Sequence, residues 1–248
     1  MTDPFDLSGR RALVTGSSRG IGAALATALA ERGARVVVHG REAGAELDAV
    51  ASKIDGEGLA ADLADAGACR DLARRAEDLL GGVDILILNA SYEIRADWTT
   101  VGAQDVDLQM AVNFRSSLLL CQALAPAMAE RGWGRIIGLG SIQETKPNPA
   151  LMVYAAAKAA QTNMLMNLAR QLAPSGVTVN NLAPGAIETD RNAKVLAEPA
   201  YRARVEGQIP AGRVGQPGDC VGACLLLASE AGAYITGATL HVDGGWSL

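Results

Sequence analysis

Tyr154 and Lys158 stand four residues apart in a stretch, about 151–173, whose apolar spacing is helical. Positions i and i+4 share one helix face, with Cβ atoms about 5–6 Å apart. Tyrosine is a poor base at neutral pH, because its reference pKa is about 10. An ammonium about 4 Å away, at an effective dielectric of about 20, favours the phenolate by about 4 kcal/mol. That is roughly three pKa units before desolvation is subtracted. The pair is therefore a candidate proton-transfer group. Gly140-Ser141 ends an apolar run thirteen residues before Tyr154. A serine hydroxyl there can hydrogen-bond a substrate oxygen.

A second chemical feature lies near the N-terminus. The loop Thr15-Gly16-Ser17-Ser18-Arg19-Gly20-Ile21-Gly22 follows an apolar run and opens a helical pattern. Glycine lets a backbone turn tightly and approach a pyrophosphate, whose charge meets a helix N-terminus. The spacing is G-x-x-x-G-x-G, and no Gly-Lys-Ser/Thr of a Walker loop follows. The strand–loop–helix setting points to a dinucleotide. NAD-binding domains often carry an acid at the end of the second strand, for the ribose 2′-hydroxyl. Here that end reads His39-Gly40-Arg41, with no carboxylate until Glu42. Arg19 and Arg41 can clasp a 2′-phosphate, each contact contributing roughly 1.5–3 kcal/mol. The expected cofactor is NADP(H), with Ser18 and His39 among the residues that meet it.

These residues need a scaffold, and the apolar pattern describes one. Strand-like runs occur at Arg11–Thr15, Arg35–His39, just before Asp62, Val83–Asn89, Arg135–Leu139, Val177–Leu182 and Thr239–Val242. Val36, Val37 and Val38 in a row suit a strand buried on both faces. Helical patterns fall between the runs, near 42–54, 65–80, 103–130, 151–173 and 217–229. Pro126 should kink the long 103–130 helix or loosen its last turn. Gly33 stops the first helix. The alternation predicts one α/β Rossmann-type domain over 1–248, doubly wound, with about seven parallel strands and helices on both faces. Ligands in such sheets bind at the carboxyl ends of the strands. The loops about 91–102, 142–150 and 186–215 are then the places to look.

Composition removes several function classes. The 248 residues are 49% hydrophobic and 20% charged, so the chain is not disordered. Its 22 basic and 27 acidic residues leave a net charge of −5. A nucleic-acid partner wants a basic face and aromatic platforms, and aromatics are only 4%. No apolar run approaches the roughly 20 residues of a membrane span, and no secretory signal core is read. Cys69, Cys121, Cys220 and Cys224 form no C-x-x-C motif. They read as free thiols of a cytoplasmic protein, and no metal site is expected.

Taken together, the motifs identify the chain as resembling the short-chain dehydrogenase/reductase family along nearly its whole length. The match comprises TGSSRGIG at 15–22, Asp62, Asn89-Ala90, Asn113, Ser141, Tyr154-x-x-x-Lys158 and Pro184-Gly185 with Ile187 and Thr189. Tyr234-Ile235-Thr236-Gly237 and Val242-Asp243-Gly244-Gly245 also fit. The resemblance implies that Tyr154 is the acid in carbonyl reduction and the base in alcohol oxidation. It implies that Ser141 polarises the substrate oxygen and that Lys158 holds the nicotinamide ribose and lowers the tyrosine pKa. Asn113 would support a water-mediated proton relay. Asp62 and Leu63 would meet the adenine end, Asn89-Ala90 would line the cofactor, and Pro184, Gly185, Ile187 and Thr189 would lie at the nicotinamide end. Two departures stand out. Ser91 replaces a common glycine after Asn89-Ala90, and Gly140 replaces a common serine before Ser141.

Substrate choice is expected from Tyr92, Arg95, Gln143, Glu144, Lys146 and Arg191, a polar set. It points to a small polyhydroxylated or anionic substrate: a sugar, polyol or sugar acid. Gln143 and Glu144 would accept sugar hydroxyls, and Lys146, Arg95 or Arg191 would meet a carboxylate. The opening FDLSGRRALVTGS, the His39-Gly40-Arg41 turn and Ser141-Ile142-Gln143 resemble gluconate 5-dehydrogenase-like members. The same scaffold also resembles 3-oxoacyl-acyl-carrier-protein reductases. A non-catalytic NADP-binding sensor remains a remote alternative, because serine, tyrosine and lysine are all present. An epimerase-type extended relative would use residues beyond Leu248. Met164, Leu165, Met166 and Leu168 spread apolar surface around their helix, which needs a second partner. Through that helix and 103–130, the family resemblance implies a homotetramer.

Overall fold

A computed structural model describes residues 3–248. Its seven strands are β1 (Arg11–Val14), β2 (Arg35–Gly40), β3 (Glu57–Ala60), β4 (Ile85–Leu88), β5 (Gly134–Leu139), β6 (Val177–Pro184) and β7 (Thr239–Val242). They form one sheet in the order β3-β2-β1-β4-β5-β6-β7. Every neighbouring pair is parallel. The order reverses between β1 and β4, where Ala12 faces Ile85 and Leu13 faces Leu86. That switch point opens a crevice at the carboxyl ends of the two strands.

Successive strand residues point to opposite faces, so a strand covered on both sides is apolar throughout. Val36 and Val38 lie on one face and Val37 on the other. The first face packs against α1 (Gly20–Glu31), α2 (Ala45–Lys53) and α9 (Val221–Ala228), through Leu25, Leu29, Leu47 and Leu225. The second packs against α3 (Ala66–Leu80), α5 (Ser116–Glu130) and α6 (Met152–Leu172), through Leu72, Leu124 and Leu165.

The expected 103–130 helix is α4 (Ala103–Met110), a π-helical turn at Ala111–Arg115, and then α5. The helix runs on through Pro126 to Glu130. The irregular turn lies upstream instead, at Asn113. Two short helices, α7 (Asp190–Leu196) and α8 (Pro199–Glu206), occupy the long segment after β6. No helix of the described residues is long and apolar enough to cross a membrane. Nor does any group of three His, Cys, Asp or Glu among them have metal-holding geometry.

Candidate active site

The glycine loop is clamped across the switch point. Gly16 has φ +62, and a Cβ there would stand 2.7 Å from the Ala90 Cα. Only glycine allows the two loops to lie that close. Asn89 Nδ2 donates to the carbonyls of Thr15 at 2.9 Å and Gly16 at 2.7 Å. The Thr15 hydroxyl donates to the Ile87 carbonyl at 3.1 Å and accepts from the Asn89 and Ala90 amides at 3.0 and 3.1 Å. Asn89 therefore shapes the loop with its side chain, and Ala90 forms the wall against it.

His39 does the same from below. It is buried, and its Nδ1 accepts the Gly16 N–H at 3.0 Å. Nε2 then carries the proton and donates to the Ala61 carbonyl at 3.0 Å. Burial lowers its pKa to about 4, so the ring is neutral. The sequence expectation placed His39 on the cofactor; the structure places it behind Gly16, where it holds the loop.

The loop fits a phosphate. Gly20 and Ile21 begin α1 and Gly22 is buried in its first turn, which carries neither an acid nor a side-chain cap. The free N–H groups of such a turn attract an anion. Ser18 is half-buried and Arg19 exposed beside it. Arg19 lies 3.4 Å from Glu46, and Arg41 lies 2.8 Å from Glu42. These exposed pairs are worth about 0–1 kcal/mol each. A phosphate contact worth roughly 1.5–3 kcal/mol would outweigh them. Asp62 is exposed just beyond β3, accepting the Ala64 N–H at 2.9 Å, while Leu63 turns into the core. On the other side, Pro184 ends β6 and the Gly185 N–H donates to Val242 at 3.0 Å. Ile187 is buried, and Thr189 caps α7 with its methyl group over Gly20.

Ser141, Tyr154 and Lys158 converge at the end of β5. Ser141 Oγ accepts the Gln143 N–H at 3.2 Å, which leaves its own proton available. Tyr154 is 8% exposed and Lys158 1%. Burial raises the Tyr154 pKa; the Arg191 guanidinium opposes that, Glu93 adds to it, and the nearby Ser91 and Ser141 hydroxyls favour the phenolate. Burial lowers the Lys158 pKa to about 7, Arg191 pushes the same way, and Glu144 opposes.

The spacing argument expected the ammonium close to the phenol. Lys158 Nζ donates to the Leu139 carbonyl at 2.6 Å and to Gln161 Oε1 at 3.1 Å. It stands 6.0 Å from the Tyr154 ring centroid. A buried ammonium needs acceptors, and the carboxyl end of β5 and Gln161 supply them. Gln161 Nε2 donates on to Ser117 Oγ at 2.8 Å, and Ser117 Oγ lies 3.4 Å from the Asn113 carbonyl. This buried chain joins Lys158 to the π-helical turn. Asn113 is fully buried, and its side chain is spent on Tyr92 N–H (3.1 Å), Tyr92 carbonyl (2.7 Å) and Gln109 carbonyl (2.9 Å). Sequence reading missed Gln161 and Ser117, although Gln161 is i+3 from Lys158 and Ser117 is i+4 from Asn113.

Known proteins resemble this chain along nearly all of its length. A family model described as enoyl-(acyl carrier protein) reductase matches residues 16–247. Gluconate 5-dehydrogenase of Gluconobacter oxydans (strain 621H) is 38% identical over 248 residues, covering 98% of this chain and 96% of that one. The chain belongs to the short-chain dehydrogenase/reductase family. It is an oxidoreductase of the kind that acts on CH–OH groups. Among solved structures, a 3-oxoacyl (acyl-carrier-protein) reductase of Agrobacterium tumefaciens C58 with NADP bound superposes with TM-score 0.94 at 44% identity, covering 98% of this chain and 96% of that one. A gluconate 5-dehydrogenase of Burkholderia cenocepacia J2315, in complex with NADP and tartrate, superposes with TM-score 0.93 at 35% identity, covering 99% and 98%.

Within this short-chain dehydrogenase/reductase fold, the expected substrate residues divide. Glu144 accepts the Ser141 N–H at 2.8 Å and is held by Asn181 Nδ2 at 3.2 Å, so its carboxylate faces inward. Its expected role with sugar hydroxyls gives way to this structural one. Lys146 Nζ donates to the Trp246 carbonyl at 2.9 Å. Arg95 lies 3.5 Å from Glu93. Tyr92 is half-buried, with its backbone held by Asn113. Gln143 Oε1 is buried with no hydrogen-bond partner in the chain. Arg191 donates to Ser91, the residue that departs from the family glycine.

Proposed function

We propose that this chain interconverts a secondary alcohol and a ketone on a small polar substrate, a sugar, polyol or sugar acid, with NADP(H). One observation carries the chemistry: the buried Tyr154 phenol lies beside two serine hydroxyls, with the Lys158 ammonium anchored nearby. In reduction, Tyr154 gives its proton to the substrate oxygen; in oxidation, its phenolate takes that proton. Ser141 donates to the same oxygen, because its Oγ already accepts from Gln143. Asn113 holds the loop that carries Tyr92 over the site. The cofactor supplies or accepts the hydride. The glycine loop and the first turn of α1 would hold its pyrophosphate, Arg19 and Arg41 the 2′-phosphate, Asp62 and Leu63 the adenine end, and Lys158 the ribose.

The polar lining supports the substrate class. A long acyl chain wants apolar walls, whereas the loops after β4, β5 and β6 carry Glu93, Arg95, Gln143, Lys146 and Arg191. The relatives named gluconate 5-dehydrogenases agree with that reading. The 44% identical acyl-carrier-protein reductase supports the second one, reduction of a 3-oxoacyl thioester. A panel of aldonates, sugars and acetoacetyl thioesters with NADP+ or NADPH, followed at 340 nm, separates them. Turnover of thioesters alone overturns the sugar reading. Tyr154→Phe should lower kcat on any substrate by about 10²–10⁴-fold; an equal rate removes Tyr154 from the mechanism. The exposed Met152 and Met166 on α6 support a homotetramer built on α5 and α6. Four buried free thiols suit the cytoplasm.

A further inference from the structure

Three of the expected substrate residues are cations, and two are already engaged. Arg95 pairs with Glu93 at 3.5 Å. Lys146 is tied to the C-terminal segment, with its Nζ on the Trp246 carbonyl and 5.9 Å from the Trp246 ring. Arg191 is held differently. Its Nη1 donates to Ser91 Oγ at 3.1 Å and its Nη2 to the Ser91 carbonyl at 3.0 Å. Both acceptors are neutral, so they fix the guanidinium without cancelling its charge. A guanidinium has five N–H donors in a rigid fork, and Ser91 uses only two of them. The Arg191 side chain also remains open to solvent.

The anchor holds this charge on the loop that follows β4, near Tyr154. Ser91 follows β4 and lies beside the Tyr154 phenol, and Arg191 acts on both Tyr154 and Lys158 through space. The two bonds therefore join the loop after β4 to α7, across the mouth of the site. A planar fork with a fixed orientation matches a carboxylate in two parallel hydrogen bonds. Pre-fixing the side chain also removes much of the entropy cost of binding.

We infer that Arg191, fixed by Ser91, reads a carboxylate on the substrate whose oxygen meets Ser141 and Tyr154. Ser91 is the positioning residue and Arg191 the specificity-determining one. The inference rests on the small polar substrate proposed above, and it narrows that class to hydroxy acids and keto acids.

The test uses the full chain loaded with NADPH and titrated calorimetrically with tartrate. Erythritol, a neutral tetritol, is the control. Arg191→Met should weaken tartrate at least tenfold, and Arg191→Lys should weaken it less, because the charge stays while the fork is lost. Erythritol should move by less than threefold. Should Arg191→Met fail to fold by circular dichroism, Ser91→Gly carries the test, with an expected loss of several-fold for tartrate. Three results overturn the inference: equal tartrate affinity in the wild type and the variant, no tartrate binding by the wild type, or an equal loss for NADPH, which would assign Arg191 to the cofactor. A wild type that binds tartrate through Arg191 yet turns over thioesters alone leaves the carboxylate contact standing and removes the substrate reading.

Discussion

The Glu144 carboxylate fills the space that a side chain on Gly140 would need. A Cβ at residue 140 would also stand 2.6 Å from Asn181 Oδ1. The same carboxylate accepts the Ser141 N–H at 2.8 Å. Gly140 and Glu144 are thus one device, which trades a side chain before Ser141 for an acid behind it.

Gly140→Ser should therefore displace Glu144 and cost about 1–3 kcal/mol, the range for overpacking. Glu144→Ala should cost about 1–3 kcal/mol by leaving the Ser141 N–H unpaired. The double variant should be less damaged than the sum, because the clash with Glu144 is gone and only that with Asn181 remains, with a coupling of about 0.5–3 kcal/mol. Urea unfolding of the four proteins measures this. Strict additivity would show that the two residues are independent.

Gln161 sets how long Lys158 keeps its proton. Its Oε1 accepts from the ammonium at 3.1 Å, against a burial that brings the pKa to about 7. Losing a hydrogen bond to a charged group costs roughly 1.5–3 kcal/mol, or about 1–2 pKa units. Gln161→Leu should move the alkaline limb of kcat/KM to lower pH by that amount, since the ammonium is lost as pH rises through its pKa. An unmoved limb would detach Gln161 from Lys158.

His39 makes the fold acid-sensitive. Its pKa is about 4 in the folded chain and 6.5 as the reference value. Between these values the unfolded chain binds the extra proton. The stabilisation is complete above pH 6.5 and is lost as pH falls towards 4, about 3 kcal/mol in all. His39→Asn should flatten the fall of Tm across that window relative to the wild type. Parallel Tm curves would mean that the imidazole does not titrate there.

Arg19 and Arg41 should discriminate between cofactors. Replacing either by Ala removes a contact of roughly 1.5–3 kcal/mol, so KM for NADP+ should rise about 10–150-fold. KM for NAD+ should change far less, because NAD+ lacks the 2′-phosphate. Steady-state kinetics at low ionic strength gives both values, and an equal rise for the two cofactors would move these arginines off the phosphate.

Much of the frame was legible in the residues. Val36–Val38 and Val83–Asn89 read as buried strands, and the structure has β2 and β4 there, the latter trimmed to Ile85–Leu88. The glycine loop, the end of β5 and the Tyr154-x-x-x-Lys158 face are local patterns, set by chain geometry over a few residues. The long helix was legible, but its irregular turn was not. Pro126 drew the expectation, while the π-helical turn formed around Asn113, whose side chain is fixed by the loop at Tyr92.

By itself, then, the sequence determined the fold class, the strand-end loops as the place of the site, and the residue types at the reaction centre. Periodicity, buried apolar runs and glycine spacing act over short stretches of chain, so the order of residues is enough to reveal them. Only the tertiary structure decided how the polar groups are spent. Glu144 went to Ser141 and Asn181, Lys146 to Trp246, His39 to Gly16 and Ala61, and Arg191 to Ser91. Most of those partners lie tens of residues apart in the chain. A buried or crowded polar group takes the nearest available partner in space, and that choice exists only once the sheet has brought its loops together.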